Sequence, residues 1–334
     1  MPNLYNKHIL LTVLLFLINL PLTGCHHEHA LQTLSETRLL LDTVCTVTLY
    51  DTAESSLLAE ALDMCAYYES LFSRTVEGSD IWRINNAGGT PVVVEEPTAA
   101  LIQDALDYGT FSGGAFDITV GRLCALWDFS GNPAVPVSED LAAARDSVDY
   151  RQVSIVDSTV LLAHNESWLD LGGIAKGYIA DQLADFLRER GVKSAIIDLG
   201  GNIVTVGLKP DGSLWRIGVE QPFSGRSEFI GSLSVGEASI VTSGIYERQF
   251  TENGVLYHHI LDPKSGMPVQ SDVVSVTIVS ESSGAGDALS TIVLLLGSEK
   301  ATPLLEQTPG LMGALLMLES GELLQYGDLD FNEE

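Results

Sequence analysis

Positive charge is scarce in this sequence: 17 Lys and Arg stand against 45 Asp and Glu in 334 residues, a formal charge of −28. Binding to a phosphate backbone needs clustered cations, so nucleic acid is excluded as a partner, and any anionic ligand must be met locally. Cysteine is sparse as well. Cys25, Cys45, Cys65 and Cys124 fall at irregular intervals that make neither a disulfide framework nor a zinc pattern. The last three sit in apolar company and read as buried free thiols. The apolar run Ile9 to Leu20, broken by Thr12 and Asn19, is too short to cross a bilayer. A Walker loop and the Rossmann glycine spacing are both missing. No low-complexity linker divides the chain, which argues for a single α+β domain.

What the N-terminus does hold is an export pattern. Lys7 precedes the apolar run, and Leu22-Thr23-Gly24-Cys25 resembles a bacterial lipobox. That resemblance implies a lipoprotein signal peptide over 1–24 and acylation at Cys25. It also implies a protein held at the cell membrane by a lipid anchor, facing outside the cytoplasm. His26, His27 and His29 follow in a polar tether over 25–37, with the folded domain spanning 38–334.

The chain is organised around Ser167 to Asp181, read as a buried strand (Trp168, Leu169, Leu171), a Gly172-Gly173 turn and a helix. Ile174, Tyr178, Ile179, Leu183 and Leu187 share one side of that helix, which ends at Arg188, Arg190 and Gly191. Asp198-Leu199-Gly200-Gly201 repeats the strand-then-glycine pattern. Open helix N-terminal amides beside Lys176 suit an anion, although a tight junction with a solvated lysine is the plainer reading of one glycine pair.

Elsewhere a strand is expected over Thr37 to Tyr50, and helices over Ser55 to Phe72, around Ile81 to Ile84, and over Pro97 to Tyr108. Between Asn202 and Val276 short strands alternate with turns at Pro210-Asp211-Gly212 and Glu252-Asn253-Gly254.

Three further segments carry chemistry. Gly113-Gly114-Ala115 leaves room for a flat ligand that Phe116 can cover and to which Asp117 can accept hydrogen bonds; alone, it also reads as a packed loop. His258-His259 before Asp262-Pro263 places an imidazole at a sheet rim, as a base or as an ordinary backbone partner. Asp287 and Thr291 lie four apart at the start of a helix. Their oxygens suit Mg²⁺ completed by a carbonyl and phosphate oxygens, or else a cap and a back-bonded hydroxyl.

The order of these segments is more specific than any one of them. Ser73 to Asn85, Ala115-Phe116-Asp117, Asp170-Leu171-Gly172-Gly173-Ile174-Ala175-Lys176-Gly177, Thr242-Ser243-Gly244, His259-Ile260-Leu261-Asp262-Pro263 and Gly286-Asp287-Ala288-Leu289-Ser290-Thr291 together resemble the ApbE family of flavin transferases. The resemblance implies one large T-fold-related domain with a mostly antiparallel sheet and flanking helices. It implies FAD as substrate, with contacts at Ala115, Phe116, Asp117, Asp170, Lys176 and Leu261. Mg²⁺ falls to Gly173, through its carbonyl, and to Asp287 and Thr291, with Ser290 beside them. His259 matches an acid/base histidine that Asp262 would orient. Leu41 and Thr75 occupy positions where the family commonly has Met and Tyr, so the flavin wall differs there. The implied reaction moves FMN from FAD to a Thr or Ser hydroxyl of an acceptor protein and releases AMP. The acceptor would be a flavoprotein of a membrane or extracellular electron-transport system. The alternatives are an FAD pyrophosphatase giving FMN and AMP, and a non-catalytic flavin-binding lipoprotein.

Overall fold

An eight-stranded antiparallel sheet carries the fold. The computed structural model describes residues 33–129, 131–225 and 228–333, so the signal segment, Cys25 and the three nearby histidines lie outside the described residues. The chain opens with β1 (Leu34–Leu40) and β2 (Thr43–Leu49), then α1 (Ser56–Phe72), α2 (Asp80–Asn85), β3 (Val92–Val93), α3 (Glu96–Phe111), α4 (Gly121–Trp127) and α5 (Ser138–Asp146). The hairpin of β4 (Val153–Val156) and β5 (Thr159–Leu162) leads to α6 (Ala175–Glu189). Next come β6 (Ser194–Leu199), β7 (Asn202–Gly207), β8 (Trp215–Glu220), β9 (Phe229–Val235), β10 (Ala238–Gly244), β11 (Gln249–Glu252), β12 (Val255–His258) and β13 (Val273–Ser280). The chain closes with α7 (Ser283–Leu296), α8 (Ser298–Gln307), β14 (Leu311–Leu318), β15 (Leu323–Gly327) and β16 (Phe331–Glu333).

The main sheet runs β1-β2-β6-β7-β10-β13-β14-β15. Every neighbouring pair in it is antiparallel. Helices α1, α6 and α7 cover one face, where Leu57, Leu62, Ile179, Leu183 and Leu187 pack with Val47, Leu49, Ile197 and Val204. The small sheet β16-β9-β8 covers part of the other, joining Trp215, Ile217 and Leu233 to Ile240, Val279 and Leu315. With both faces covered, all eight residues of β13 are buried.

Three expectations change. The strand expected over Thr37 to Tyr50 is the β1–β2 hairpin: Leu41 and Asp42, both at φ +55°, form its turn. Residues 34–37, assigned to the tether, are therefore strand. The strand expected at Trp168 to Leu171 is a single parallel bridge from Trp168 to Val120. What fixes that segment is Asn85, whose buried amide donates to the Leu169 carbonyl at 2.9 Å and accepts from the Leu169 amide at 2.6 Å. The second glycine pair, Gly200-Gly201, turns the β6–β7 hairpin at φ +65° and +98°, a glycine turn between strands as expected. The Asn253-Gly254 hairpin stands as expected between β11 and β12, at φ +52° and +79°.

Candidate active site

A cavity of about 730 Å³ opens over the N-terminal half of α6 and the middle of α7. Its walls come from eight separate stretches of chain, from Leu41 to Leu295. Leu41, Thr75, Ala115, Phe116, Asp117, Asp170, Gly173, Lys176, His259, Leu261, Asp287 and Thr291 all line it. Residues 250 positions apart in sequence thus share one chamber of a size suited to a cofactor.

The floor is the contact between α6 and α7. Gly177 permits it: a Cβ there would run into the Ser283 carbonyl and come within 2.8 Å of the Asp287 Cβ. Asp181 ties the two helices together, its carboxylate accepting from the Ser283 and Gly284 amides at 2.7 and 2.9 Å. Burial pushes this carboxyl above its ordinary range, and the amide bonds pull it back. Asp287, 2% exposed, accepts the Gly177 amide at 3.0 Å, and its other oxygen lies 3.6 Å from the Lys176 Nζ. Thr291 and Ser290 both donate to the Asp287 carbonyl, at 3.3 and 2.8 Å. A Cβ on Gly173 would sit 3.2 Å from Thr291 Oγ1 and 3.0 Å from the Phe116 ring, so that glycine is in touch with both walls.

The amide cradle expected at the start of α6 is largely filled from within. Ala175 N–H goes to the Leu171 carbonyl, Gly177 N–H to Asp287 and Gly172 N–H to Asp170. Positive charge on the floor therefore comes from Lys176 itself. No role was assigned from the sequence to Arg74, inside the Ser73 to Asn85 segment, which pairs with Asp170 at 2.6 Å across 96 residues, or to Arg248, which also lines the cavity.

Two expected residues stand outside the lining. Asp262 spends its carboxylate on the amides of Lys264 and Ser265, at 3.1 and 3.2 Å, closing the turn after β12. The partner that orients His259 is instead the Arg248 carbonyl, 3.3 Å from Nδ1. Ser290 is fully buried, its hydroxyl 2.8 Å from the Oγ of Ser243, a lining residue that stands between it and the chamber. Asp117 lines the chamber, but its carboxylate accepts from Thr119 N, Thr119 Oγ1 and Tyr150 N, so it braces its own loop. Cys45 and Cys65 are buried free thiols as expected; Cys124 is only partly buried and faces the cavity.

Burial, then the nearby Arg248 charge, then His258 hold the His259 imidazole down to about 4. It is neutral at pH 7. His258 Nε2 donates to the Val269 carbonyl, 3.1 Å away, and is a structural residue. Among the described residues no three His, Cys, Asp or Glu side chains cluster as a metal cage. The oxygen donors that do converge are one carboxylate, one hydroxyl and the backbone at Gly173.

The ApbE family model matches residues 41–316, which include every stretch of the cavity wall. The chain belongs to the ApbE family. It is 37% identical over 289 residues to the FAD:protein FMN transferase of Klebsiella pneumoniae (strain 342), covering 83% of this chain and 89% of that one. It is 35% identical over 308 residues to the protein of the same name from Treponema pallidum (strain Nichols), covering 86% and 85%. The ApbE protein of Thermotoga maritima superposes with a TM-score of 0.80 at 32% identity, covering 88% of this chain and 97% of that one. The flavin transferase ApbE from Vibrio cholerae superposes at 0.77 and 26%, covering 88% and 96%. The single ApbE domain with its mostly antiparallel sheet is thus shared along nearly the whole of these proteins.

Proposed function

We propose that this ApbE-family protein transfers FMN from FAD to a Thr or Ser hydroxyl of an acceptor protein and releases AMP. The observation that carries this reading is the convergence of Gly173, Lys176, Asp287 and Thr291 on one wall of a cavity whose adjoining wall is Ala115 to Asp117. That places a charge-neutralising corner beside a slot for a flat ring. The relatives named FAD:protein FMN transferase supply the reaction class.

The donor set fits Mg²⁺: the Asp287 carboxylate, the Thr291 hydroxyl and the Gly173 carbonyl are hard oxygens, too few to hold the ion without oxygens from substrate and water. When bound there, the ion would neutralise charge on the diphosphate as the phosphorus–oxygen bond to AMP breaks. Lys176 adds a fixed positive charge on the same side. Phe116 packs against the Gly173 turn and closes the ring slot from the phosphate corner. His259 Nδ1 donates to the Arg248 carbonyl, which leaves Nε2 as the acceptor. Neutral at pH 7, His259 takes the hydroxyl proton as the acceptor oxygen bonds to the FMN phosphorus. The acceptor is a flavoprotein of an electron-transport system, and the enzyme meets it outside the cytoplasm, anchored through Cys25.

The test is incubation of the soluble domain with FAD and Mg²⁺, with and without an acceptor. Covalent flavin on the acceptor, equal to the AMP released, is the expected result. AMP released equally without acceptor would make the protein an FAD pyrophosphatase. No AMP under either condition would make it a flavin carrier.

A further inference from the structure

Asn202 is the first residue of β7 and immediately follows the Gly200-Gly201 turn; it is 1% exposed. Its Oδ1 accepts from Lys176 Nζ at 3.2 Å, closer than the 3.6 Å that separates the ammonium from Asp287. The Asn202 Nδ2 is buried with no hydrogen-bond partner among the described residues. A buried amide donor left alone is unfavourable, and the side chain could flip to move it. It cannot flip here, because an ammonium has no acceptor and would then face a second donor. The amide is oriented by the lysine at the expense of its own nitrogen.

We infer that Asn202 is a positioning residue for the phosphate corner: it holds the Lys176 ammonium on the cavity wall without adding a second carboxylate to the one that Asp287 already presents. This rests on the reading of the cavity as a dinucleotide site. Lys176 has three donor directions, and its side chain is 28% exposed at the wall. One direction goes to Asn202 and one toward Asp287, leaving the third for the ligand. A carboxylate in place of the amide would grip the lysine as well but set a second negative charge beside it. A neutral acceptor does the first without the second. Asn202 is not among the residues that line the chamber, whereas its neighbours Gly200 and Thr242 are.

The experiment is equilibrium binding of FAD and of riboflavin, followed by flavin fluorescence, to the wild-type protein, Asn202→Ala and Asn202→Asp, in Mg²⁺ and again in EDTA. Riboflavin carries the same ring without phosphate. Asn202→Ala is expected to weaken FAD binding about tenfold, the size of one charge-assisted hydrogen bond. Asn202→Asp should weaken it at least as much, although it restores an acceptor. Riboflavin binding should hold in both variants, and the FAD loss should persist in EDTA, since the lysine acts without the metal. Equal losses for FAD and riboflavin would mark a general structural role and overturn the assignment; so would unchanged FAD binding in Asn202→Asp. A wild-type protein that binds FAD no more tightly than riboflavin would sink the dinucleotide reading itself, and this assignment with it.

Discussion

An imidazole held down to about 4 has two consequences that pull in different directions. As a base, His259 is ready over the whole neutral range, so the acid limb of kcat/KM is expected below the ordinary imidazole range, nearer 4 than 6.5. A pH–rate profile against His259→Ala checks this, with a loss of roughly a hundredfold in turnover at pH 7 for the variant. For stability the sign is the opposite. The unfolded chain takes up a proton near 6.5 that the folded protein refuses until about 4, so His259 makes the fold less stable as pH falls through that window. Melting temperatures of the variant should therefore fall less between pH 7 and 5 than those of the wild type. Asp287→Asn keeps an acceptor for the Gly177 amide, so its melting temperature should stay close to wild type. Its Mg²⁺-dependent turnover should nonetheless vanish in the AMP-release assay. At this scale the sequence showed the lining residues that sit in glycine-rich or Asp/Thr patterns. It concealed Arg74, Asn202 and the Arg248 carbonyl, whose partners lie 96, 26 and 11 residues away with no local spacing to mark them.

At the level of elements, the crossing of α6 and α7 decides whether the cavity has a floor. Gly177→Ala would drive a methyl into the Ser283 carbonyl, and backbone cannot yield as a flexible side chain does. The expected cost is about 2 kcal/mol or more in denaturant unfolding, with FAD binding lost in the fraction that remains folded. Both helices were legible because a 3.6-residue period survives on a buried face: Ile179, Leu183 and Leu187 in one, Ala288, Leu289, Ile292 and Val293 in the other. The hairpin at Leu41-Asp42 was missed because neither residue announces a turn, and parity runs unbroken through it. Leu39, Leu41 and Thr43 read as one strand although positive φ at 41 and 42 reverses the chain. Trp168 to Leu171 failed in the other sense. Its apolar run is real, but Leu169 and Leu171 are buried by packing and by the Asn85 clasp, without a neighbouring strand to pair with.

For the whole molecule, the cations lining the cavity are few, Lys176, Arg74 and Arg248, and two of them are already paired with carboxylates, so flavin binding should weaken with salt far less than a nucleic-acid complex would. If Cys25 carries the lipid, Cys25→Ser should move the protein from the membrane fraction to the soluble one, with activity toward FAD unchanged in a fractionation assay. The single-domain architecture was legible from the lack of linkers and the order of motifs. The pairing of strands was not, since β2 meets β6 and β7 meets β10 across long intervening stretches. The site draws on residues from 41 to 295, and its Asp287 and Thr291 are among the last to be synthesised. A chain not yet synthesised as far as Asp287 lacks the carboxylate and hydroxyl assigned to the phosphate corner. If the proposed export and flavin transfer both hold, such a polypeptide could not yet consume FAD on its way to the membrane.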